Sequence, residues 1–169
     1  WNYGPMLWRM HNLQVLHSKK NVVFDDARVT IAYQNYDESR IDRARGSNTR
    51  NMQAEKVNAV SINFDANKKL GKGELFYGAE YVYNKVGSVG SKTNIATNAV
   101  TPAISRYPDG STWSTSGVYG SYKINIVPAL TLTGGLRYSY NTLNASFDTT
   151  FIKFPYQKAA LKDGAFTGN

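Results

Sequence analysis

The sequence predicts an all-β chain folded as an antiparallel, up-and-down sheet, and three observations support this expectation. First, the 169 residues include 12 Tyr and 7 Phe, and Tyr, Thr, Val and Asn crowd the periodic segments, which favours strands over helices. Second, apolar and polar residues alternate with a period of two along several segments. Third, short and long connections alternate between those segments. A meander of antiparallel strands accounts for all three.

Each predicted strand has one apolar and one polar face, because successive side chains of a strand point to opposite sides. In chain order the segments are Leu7–His17, whose alternation is untidy, Ala27–Arg40, Lys56–Ala66, Glu74–Lys85, Thr115–Asn125 and Leu130–Tyr140. From the second segment onward the apolar faces carry Val29 and Ile31, Val60 and Ile62, Leu75 and Tyr77, Val118 and Tyr122, and Leu132 and Leu136. The start of a seventh strand is expected at Ala165.

The connections indicate which environment suits such a sheet. Asn67–Gly73 and Ile126–Ala129 contain the Gly or Pro of tight turns, whereas Ile41–Glu55 and Val86–Ser114 are long, polar and irregular. Short turns on one rim and long loops on the other are typical of a barrel that crosses a membrane. Strands of about 11 residues, rising ~3.3 Å each and tilted by ~40°, would span the ~25 Å apolar band of such a barrel.

Composition excludes several other classes of protein. No apolar run reaches the ~18–20 residues of a spanning helix. The absence of Cys excludes disulfide scaffolds, thiolate metal sites and cysteine nucleophiles. His11 and His17 would lie about 20 Å apart on a strand, too far for one metal ion. No catalytic motif is present, so we predict no enzyme, no metal site and no cofactor.

Four stretches resemble barrel strands and a loop of TonB-dependent outer-membrane receptors. They are FDDARVTIAYQNYDESRIDR at 24–43, ELFYGAEYVYNKVGS at 74–88, SRYPDGSTW at 105–113 and LTLTGGLRYSYNT at 130–142. The resemblance implies a 22-stranded type of barrel that is filled by a plug and imports siderophore-bound iron, haem, cobalamin or glycans. Six strands and the start of a seventh cannot close any barrel. We therefore expect residues 1–169 to be part of a single outer-membrane β-barrel domain, with the plug and the remaining strands outside this sequence.

The polar registers predict a lumen wall. Its charged members are Arg28, Glu38, Arg40, Asp65, Glu80, Lys123 and Arg137. One interpretation is a substrate path or a surface against the plug. The other is a hydrated ladder of cross-strand ion pairs, which any large barrel needs.

Two loop segments are candidates for ligand contact. Residues 40–50 hold four Arg, which could meet lipopolysaccharide phosphates or an anionic ligand, or form an ordinary solvated loop. The run lacks the stacking aromatics of a nucleic-acid site, so no nucleic-acid partner is predicted. Residues 105–113 form a second candidate, or a structural turn. The candidate ligand residues are Arg43, Arg45, Arg50, Arg106, Tyr107 and Trp113.

The function expected from the resemblance is TonB-dependent uptake of a scarce ligand across the bacterial outer membrane. The implied partners are outer-membrane lipid and lipopolysaccharide, a TonB-type energy-coupling protein bound through parts outside this sequence, and a surface lipoprotein. Two alternatives stay open at this point. One is a small structural or adhesive outer-membrane barrel, and the other is a soluble carbohydrate-binding β-sandwich.

Overall fold

The computed structural model describes residues 1–169 as one antiparallel sheet. Its strands are β1 (Asn2–Tyr3), β2 (Leu7–His17), β3 (Asp26–Asp42), β4 (Thr49–Leu70), β5 (Gly73–Asn94), β6 (Val100–Ala103), β7 (Thr112–Val127), β8 (Leu130–Ser146) and β9 (Lys158–Gly168). Seven long strands pair in chain order, since β2, β3, β4, β5, β7, β8 and β9 are successive neighbours. The short β1 and β6 pair with β3 and β5. The all-β, antiparallel, up-and-down prediction is therefore confirmed, and the sheet is open between its two edges.

The strand ends differ from the sequence prediction in a consistent way. β4 and β5 are each 22 residues long, because their ladder continues from Leu70↔Gly73 to Thr49↔Asn94. Segments of mixed polarity, which alone favour no particular structure, are held in the sheet by backbone hydrogen bonds to a neighbour. The long loop predicted at 41–55 shrinks to residues 43–48 for this reason, and the seventh strand begins at Lys158 rather than at Ala165.

Five of the six major connections obey the predicted asymmetry of the two rims, and the connection at residues 18–25 is the exception. One rim, here called the turn rim, carries residues 18–25 and the two-residue turns at 71–72 and 128–129. The opposite rim, the loop rim, carries residues 43–48, 95–111 and 147–157. The two tight turns and the two longest loops thus lie at opposite ends of the sheet, as in membrane-crossing barrels. The connection at 18–25, on the turn rim, is longer than the one at 43–48 on the loop rim.

The register places the predicted apolar and polar sets on opposite faces. Val29, Phe64, Ala79, Val118 and Tyr138 form one continuous row across five strands. The polar row beside it contains Arg28, Asp65, Gly78, Tyr119 and Arg137. The two faces follow from the alternation and are in register across the sheet.

The apolar face is uncovered. Only Ala32 and Ala66 are buried hydrophobic residues, whereas Leu136 is 69% exposed and Ile62 46% exposed. A β-sandwich would bury such a face between two packed sheets, and this chain forms one sheet. A face of this kind is satisfied by hydrocarbon, where each apolar side chain leaves water. No helix in the structure has the length and apolarity to cross a bilayer.

The apolar band occupies only part of the height of the sheet. Its last apolar-face residues toward the loop rim are Tyr33 on β3, Val60 on β4 and Tyr83 on β5, beyond which Asn35, Asn58 and Lys85 follow. A 22-residue strand at ~40° tilt rises about 55 Å, roughly twice the ~25 Å band. The loop-side halves of β4 and β5 therefore extend well beyond the apolar band.

Candidate functional site

The polar face behind the apolar band holds a ladder of charged and aromatic side chains. Arg28 approaches Asp65 at 3.4 Å across the β3–β4 pair, and the hydroxyl of Tyr119 donates to the same carboxylate from β7. Gly78 of β5 lies between Asp65 and Tyr119 in the row. Because Gly78 has no side chain, the ring of Tyr119 can reach across β5.

A second side chain reaches across a strand in the neighbouring rows. Arg137 of β8 pairs with Glu80 of β5 and passes over Gly117, where an added Cβ would lie 2.6 Å from the guanidinium. The Arg137 guanidinium also lies 5.6 Å from the centre of the Tyr119 ring. Lys123 faces the same side, opposite Glu74. These contacts form a cross-strand network of the kind described by the ion-pair interpretation of this wall.

Above the band, one loop folds back onto the polar face. β6 and β7 both pair with the same edge of β5, at Gly90–Thr93 and at Gly73–Lys85. They therefore act as one strand, interrupted by residues 104–111. This segment, here called the inner loop, contacts side chains of the polar registers, including Glu38. In a closed barrel it would lie inside the lumen.

The inner loop is fixed to β5 by backbone and side-chain hydrogen bonds. The carboxylate of Asp109 accepts from the backbone N–H of Ser88 at 2.9 Å, and the N–H of Tyr107 donates to the Ser88 hydroxyl at 3.2 Å. Gly110 and Ser111 exchange backbone bonds of 2.9 and 2.8 Å with Val86. Asp109 thus accepts a hydrogen bond from an N–H at the edge of β5 that has no strand partner, because β6 and β7 are interrupted there.

A cluster of charged groups lies where the inner loop meets β3. Glu38 accepts hydrogen bonds from Arg40 at 2.8 Å and from the hydroxyl of Tyr36 at 2.9 Å. Arg106 of the inner loop approaches Glu38 at 3.8 Å. The hydrogen bonds from Arg40 and Tyr36 hold the pKa of Glu38 below its ordinary value, because they stabilise the ionised carboxylate. Glu38 is therefore well satisfied.

Glu55 lies directly opposite Glu38 on β4 and, unlike Glu38, is poorly supplied with hydrogen bonds. It is 5% exposed, and neither of its carboxylate oxygens has a hydrogen-bond partner. Burial raises the pKa of Glu55 above its ordinary value, because desolvation disfavours the charged form. A buried carboxyl without a partner costs free energy, and such groups cluster at functional sites.

A cavity of about 570 Å³ separates the inner loop from the wall. Its polar lining includes Glu38, Glu55 and Arg106, and its apolar lining includes Val57, Val86, Tyr107, Pro108, Trp113, Leu143 and Phe147. Small-molecule sites are commonly of this size, mostly apolar with a few fixed polar groups. This cavity is the candidate functional site of the chain.

The structure brings together some of the predicted ligand residues and separates others. Arg106, Tyr107 and Trp113 line the same cavity, and the Arg106 guanidinium lies 5.0 Å from the centre of the Tyr107 ring. Arg43 instead donates to the carbonyl of Ser47 in its own loop at 3.0 Å. Arg45 is exposed beside it, and Arg50 is on β4 opposite Thr93, in the register of the apolar face.

Sequence reasoning missed the residues that complete this site. Glu55 lies at the margin of its predicted strand, where Val57 and Ala59 break the polar register. Ser88 had no distinguishing pattern, and Asp109 was marked only as part of a turn, because their roles depend on a loop folding inward. The turn signal at Tyr107–Gly110 was the available clue, and Gly110 indeed has a φ of +75°, a backbone conformation that suits glycine.

Comparison with protein-family models matches residues 6–169 to the TonB dependent receptor-like β-barrel family. The chain belongs to the TonB-dependent receptor family. The resemblance drawn from the sequence is therefore confirmed, as is the assignment to barrel strands. Among curated proteins, no sequence matches the chain.

Solved structures agree on the fold of this receptor segment. The copper transporter OprC superposes with a TM-score of 0.79 over 98% of this chain and 28% of its own length, at 15% identity. The chain thus spans just over a quarter of that transporter. At this level of identity, the likeness establishes the barrel fold alone.

Proposed function

We propose that the chain is part of the wall of a bacterial outer-membrane importer, in which a TonB-type protein energises uptake of a scarce ligand. Family membership over residues 6–169 and an uncovered apolar face support this proposal. The observation that carries it is the inner loop, which folds onto the polar wall above the membrane band and encloses a cavity with it. A receptor that must capture its ligand before transport needs a site at this level.

The class of ligand follows from the side chains at the loop rim. Arg106 at the cavity and the exposed Arg45 at the rim favour an anionic group, because guanidinium forms charge-assisted hydrogen bonds with carboxylate and phosphate. Siderophores, haem, cobalamin and glycans remain the candidates implied by the family. OprC is a copper transporter, and no group of three or more His, Cys, Asp or Glu in this chain is placed to hold a metal ion.

The proposed function also predicts what surrounds the chain. The apolar face would contact membrane lipid, and the outward-facing Lys56 and Lys85, just above the band, could meet lipopolysaccharide phosphates. Engagement of a TonB-type protein, and of any surface lipoprotein, would occur through other parts of the receptor. A small structural or adhesive barrel is the second candidate, but an occluding loop inside the lumen favours transport. That the chain has no enzymatic activity stays a prediction.

The proposal is tested by uptake of candidate ligands by cells that express the full-length receptor. Uptake should require both the receptor and the energy-coupling protein, and should fall when Arg45 and Arg106 are replaced together by Ala. The ligand should be supplied at limiting concentration and low salt, where charge effects are largest. Ligand accumulation that is independent of the coupling protein would refute energised import. Unchanged uptake by the double variant would refute the anionic-ligand assignment only.

A further inference from the structure

The cavity under the inner loop contains two complementary charged groups, Glu55 and Arg106, that make no close side-chain hydrogen bond within the protein. Burial raises the pKa of Glu55, and Arg106 and the Ser88 hydroxyl offset only part of that rise. Glu38 is already bound by Arg40 at 2.8 Å and by Tyr36 at 2.9 Å. This leaves one carboxylate, Glu55, without any hydrogen-bond partner. It also leaves one guanidinium, Arg106, whose ion-pair distance to the Glu38 carboxylate is 3.8 Å, beyond hydrogen-bond distance.

These two groups belong to different parts of the molecule. Glu55 is on the wall strand β4, and Arg106 is on the inner loop. The cavity between them is otherwise mostly apolar and aromatic, with Val57, Val86, Trp113 and Phe147 in its lining. A buried acceptor, a fork of donors and a mostly apolar lining define a specific kind of occupant.

We propose that this cavity binds a zwitterionic ligand with an apolar body, such as a short hydrophobic peptide, whose ammonium pairs with Glu55 and whose carboxylate pairs with Arg106. The inference rests on the proposed function, keeps its anionic group as the ligand carboxylate, and names a ligand class other than the four that the family implies. A bound ammonium would remove the cost of burying Glu55 without a partner. A bound carboxylate would give Arg106 the two parallel hydrogen bonds that Glu38 does not provide.

Binding would also bridge the wall and the inner loop. The Glu55 oxygens are shielded from solvent, so the carboxylate must turn toward the cavity, or the inner loop must shift, as the ligand enters. The 3.8 Å approach of Arg106 to Glu38 is weak enough to be exchanged for a ligand carboxylate. The ligand then fastens the loop that encloses it.

Three probes separate the two charged contacts. They are leucylphenylalanine, its N-acetyl form, which lacks the ammonium, and its C-terminal amide, which lacks the carboxylate. Titration calorimetry with the purified full-length receptor should give each blocked form an affinity about tenfold or more below that of the zwitterion, since a hydrogen bond to a charged group is worth about one decade.

The variants assign each preference to its residue. Glu55→Gln, nearly identical in shape, should lose the preference over the N-acetyl form and keep the preference over the amide. Arg106→Gln should do the opposite. The controls Asp163→Asn and Lys72→Gln, which remove a carboxylate and a cation at exposed positions, should keep both preferences. Heat-modifiable migration in gels checks that each variant retains a folded barrel.

Two results would overturn the inference. One is that the wild-type receptor binds none of the probes, or binds all three equally. The other is that Glu55→Gln and Arg106→Gln weaken all three probes alike in folded receptor, which would mean that the two groups only position the inner loop. Energised uptake is measured separately in cells. Loss of peptide discrimination with uptake retained would contradict only this site, and discrimination retained without uptake would contradict only the proposed function.

Discussion

The hydroxyl of Tyr119 donates a hydrogen bond to the carboxylate of Asp65 across the full width of an intervening strand. The two residues lie on β7 and β4, and Gly78 of β5 stands between them in the same row. A glycine in a strand normally weakens it. Here the missing side chain opens the path by which an aromatic ring connects two strands that are not neighbours.

Gly78→Ala should therefore destabilise the barrel by about 1–3 kcal/mol, the usual cost of forcing extra atoms into a packed site. The added Cβ would lie 2.4 Å from the carbonyl oxygen of Phe64 and 2.4 Å from the Tyr119 hydroxyl. Gly120→Ala is the matched control, because its Cβ would meet its nearest atom at 3.8 Å. Denaturant unfolding in detergent measures both, and equal stability of the two variants would contradict the crossing role of Gly78.

Tyr119→Phe should cost about 1 kcal/mol, less than the full value of a hydrogen bond to a charged group because the site is partly solvated. Asp65 would keep its contact with Arg28 at 3.4 Å. Tyr140→Phe on the exposed apolar face provides the comparison and should leave stability nearly unchanged. The prediction fails if the free energies of unfolding of the two variants agree within error.

Asp109→Ala should release the inner loop, since it removes the acceptor of the Ser88 N–H at 2.9 Å. Asp109→Asn keeps an amide oxygen at that place and should release it far less. Limited trypsin digestion of the folded receptor, followed by mass spectrometry, reports cleavage after Arg106. We expect faster cleavage in the alanine variant than in the asparagine variant. Identical rates would show that the backbone bonds to Val86 are sufficient.

The pH dependence of the free energy of unfolding should report the ionisation of Glu55. Its pKa is raised by burial from an ordinary value of 4.5, so the folded protein retains a proton that the unfolded chain has released. Stability from this group is present below about pH 4.5 and is lost as pH rises through the raised pKa. Glu38, Arg40 and Arg106, the charged groups that face it, modulate the midpoint.

Thermal unfolding of the wild-type receptor and of Glu55→Gln across pH 4–8 tests this sign. The variant should gain stability relative to wild type as pH rises, because its amide never ionises. Glu38→Gln gives the opposite control, since the pKa of Glu38 is lowered and its contribution is lost only as pH falls. A constant difference between wild type and Glu55→Gln over this range would contradict the buried, unpartnered carboxyl.

Cysteine labelling in intact cells should distinguish the two rims. The chain has no Cys of its own, so Arg45→Cys on the loop rim and Lys72→Cys on the turn rim introduce single thiols here. A membrane-impermeant maleimide should label the first from outside and the second only after the outer membrane is opened. Labelling of Lys72→Cys in intact cells would invert the proposed orientation.

Much of the fold follows from local alternation. Val29, Ile31, Val60 and Ile62 were assigned to one face and Arg28 to the other because the side-chain period of a strand is two, and a shift of one residue would place charges in lipid. The tight turns predicted at 67–73 and 126–129, which the structure places at 71–72 and 128–129, follow from a similarly local cause, since Gly and Pro favour chain reversal.

The ends of the strands and the residues of the site could not be predicted from local alternation. Thr49, Asn94 and Lys158 lie in strands because a neighbouring ladder offers backbone hydrogen bonds, and the pattern around each of them carries no such information. The inner loop interrupts the strand formed by β6 and β7, and it contacts Glu38 on β3, a residue far from it in sequence. No local pattern could predict that contact.

The sequence by itself determined the strand period, the two faces and the alternation of the rims, because each depends on residues that are neighbours along the chain. The tertiary structure decided that Arg106 lies above Tyr107 and beside Glu38, and that Glu55 is buried beneath the same loop. These positions come from β3, β4 and the β6–β7 connection together. Burial and pairing of charge depend on which strands stand side by side, and only the folded sheet fixes that arrangement.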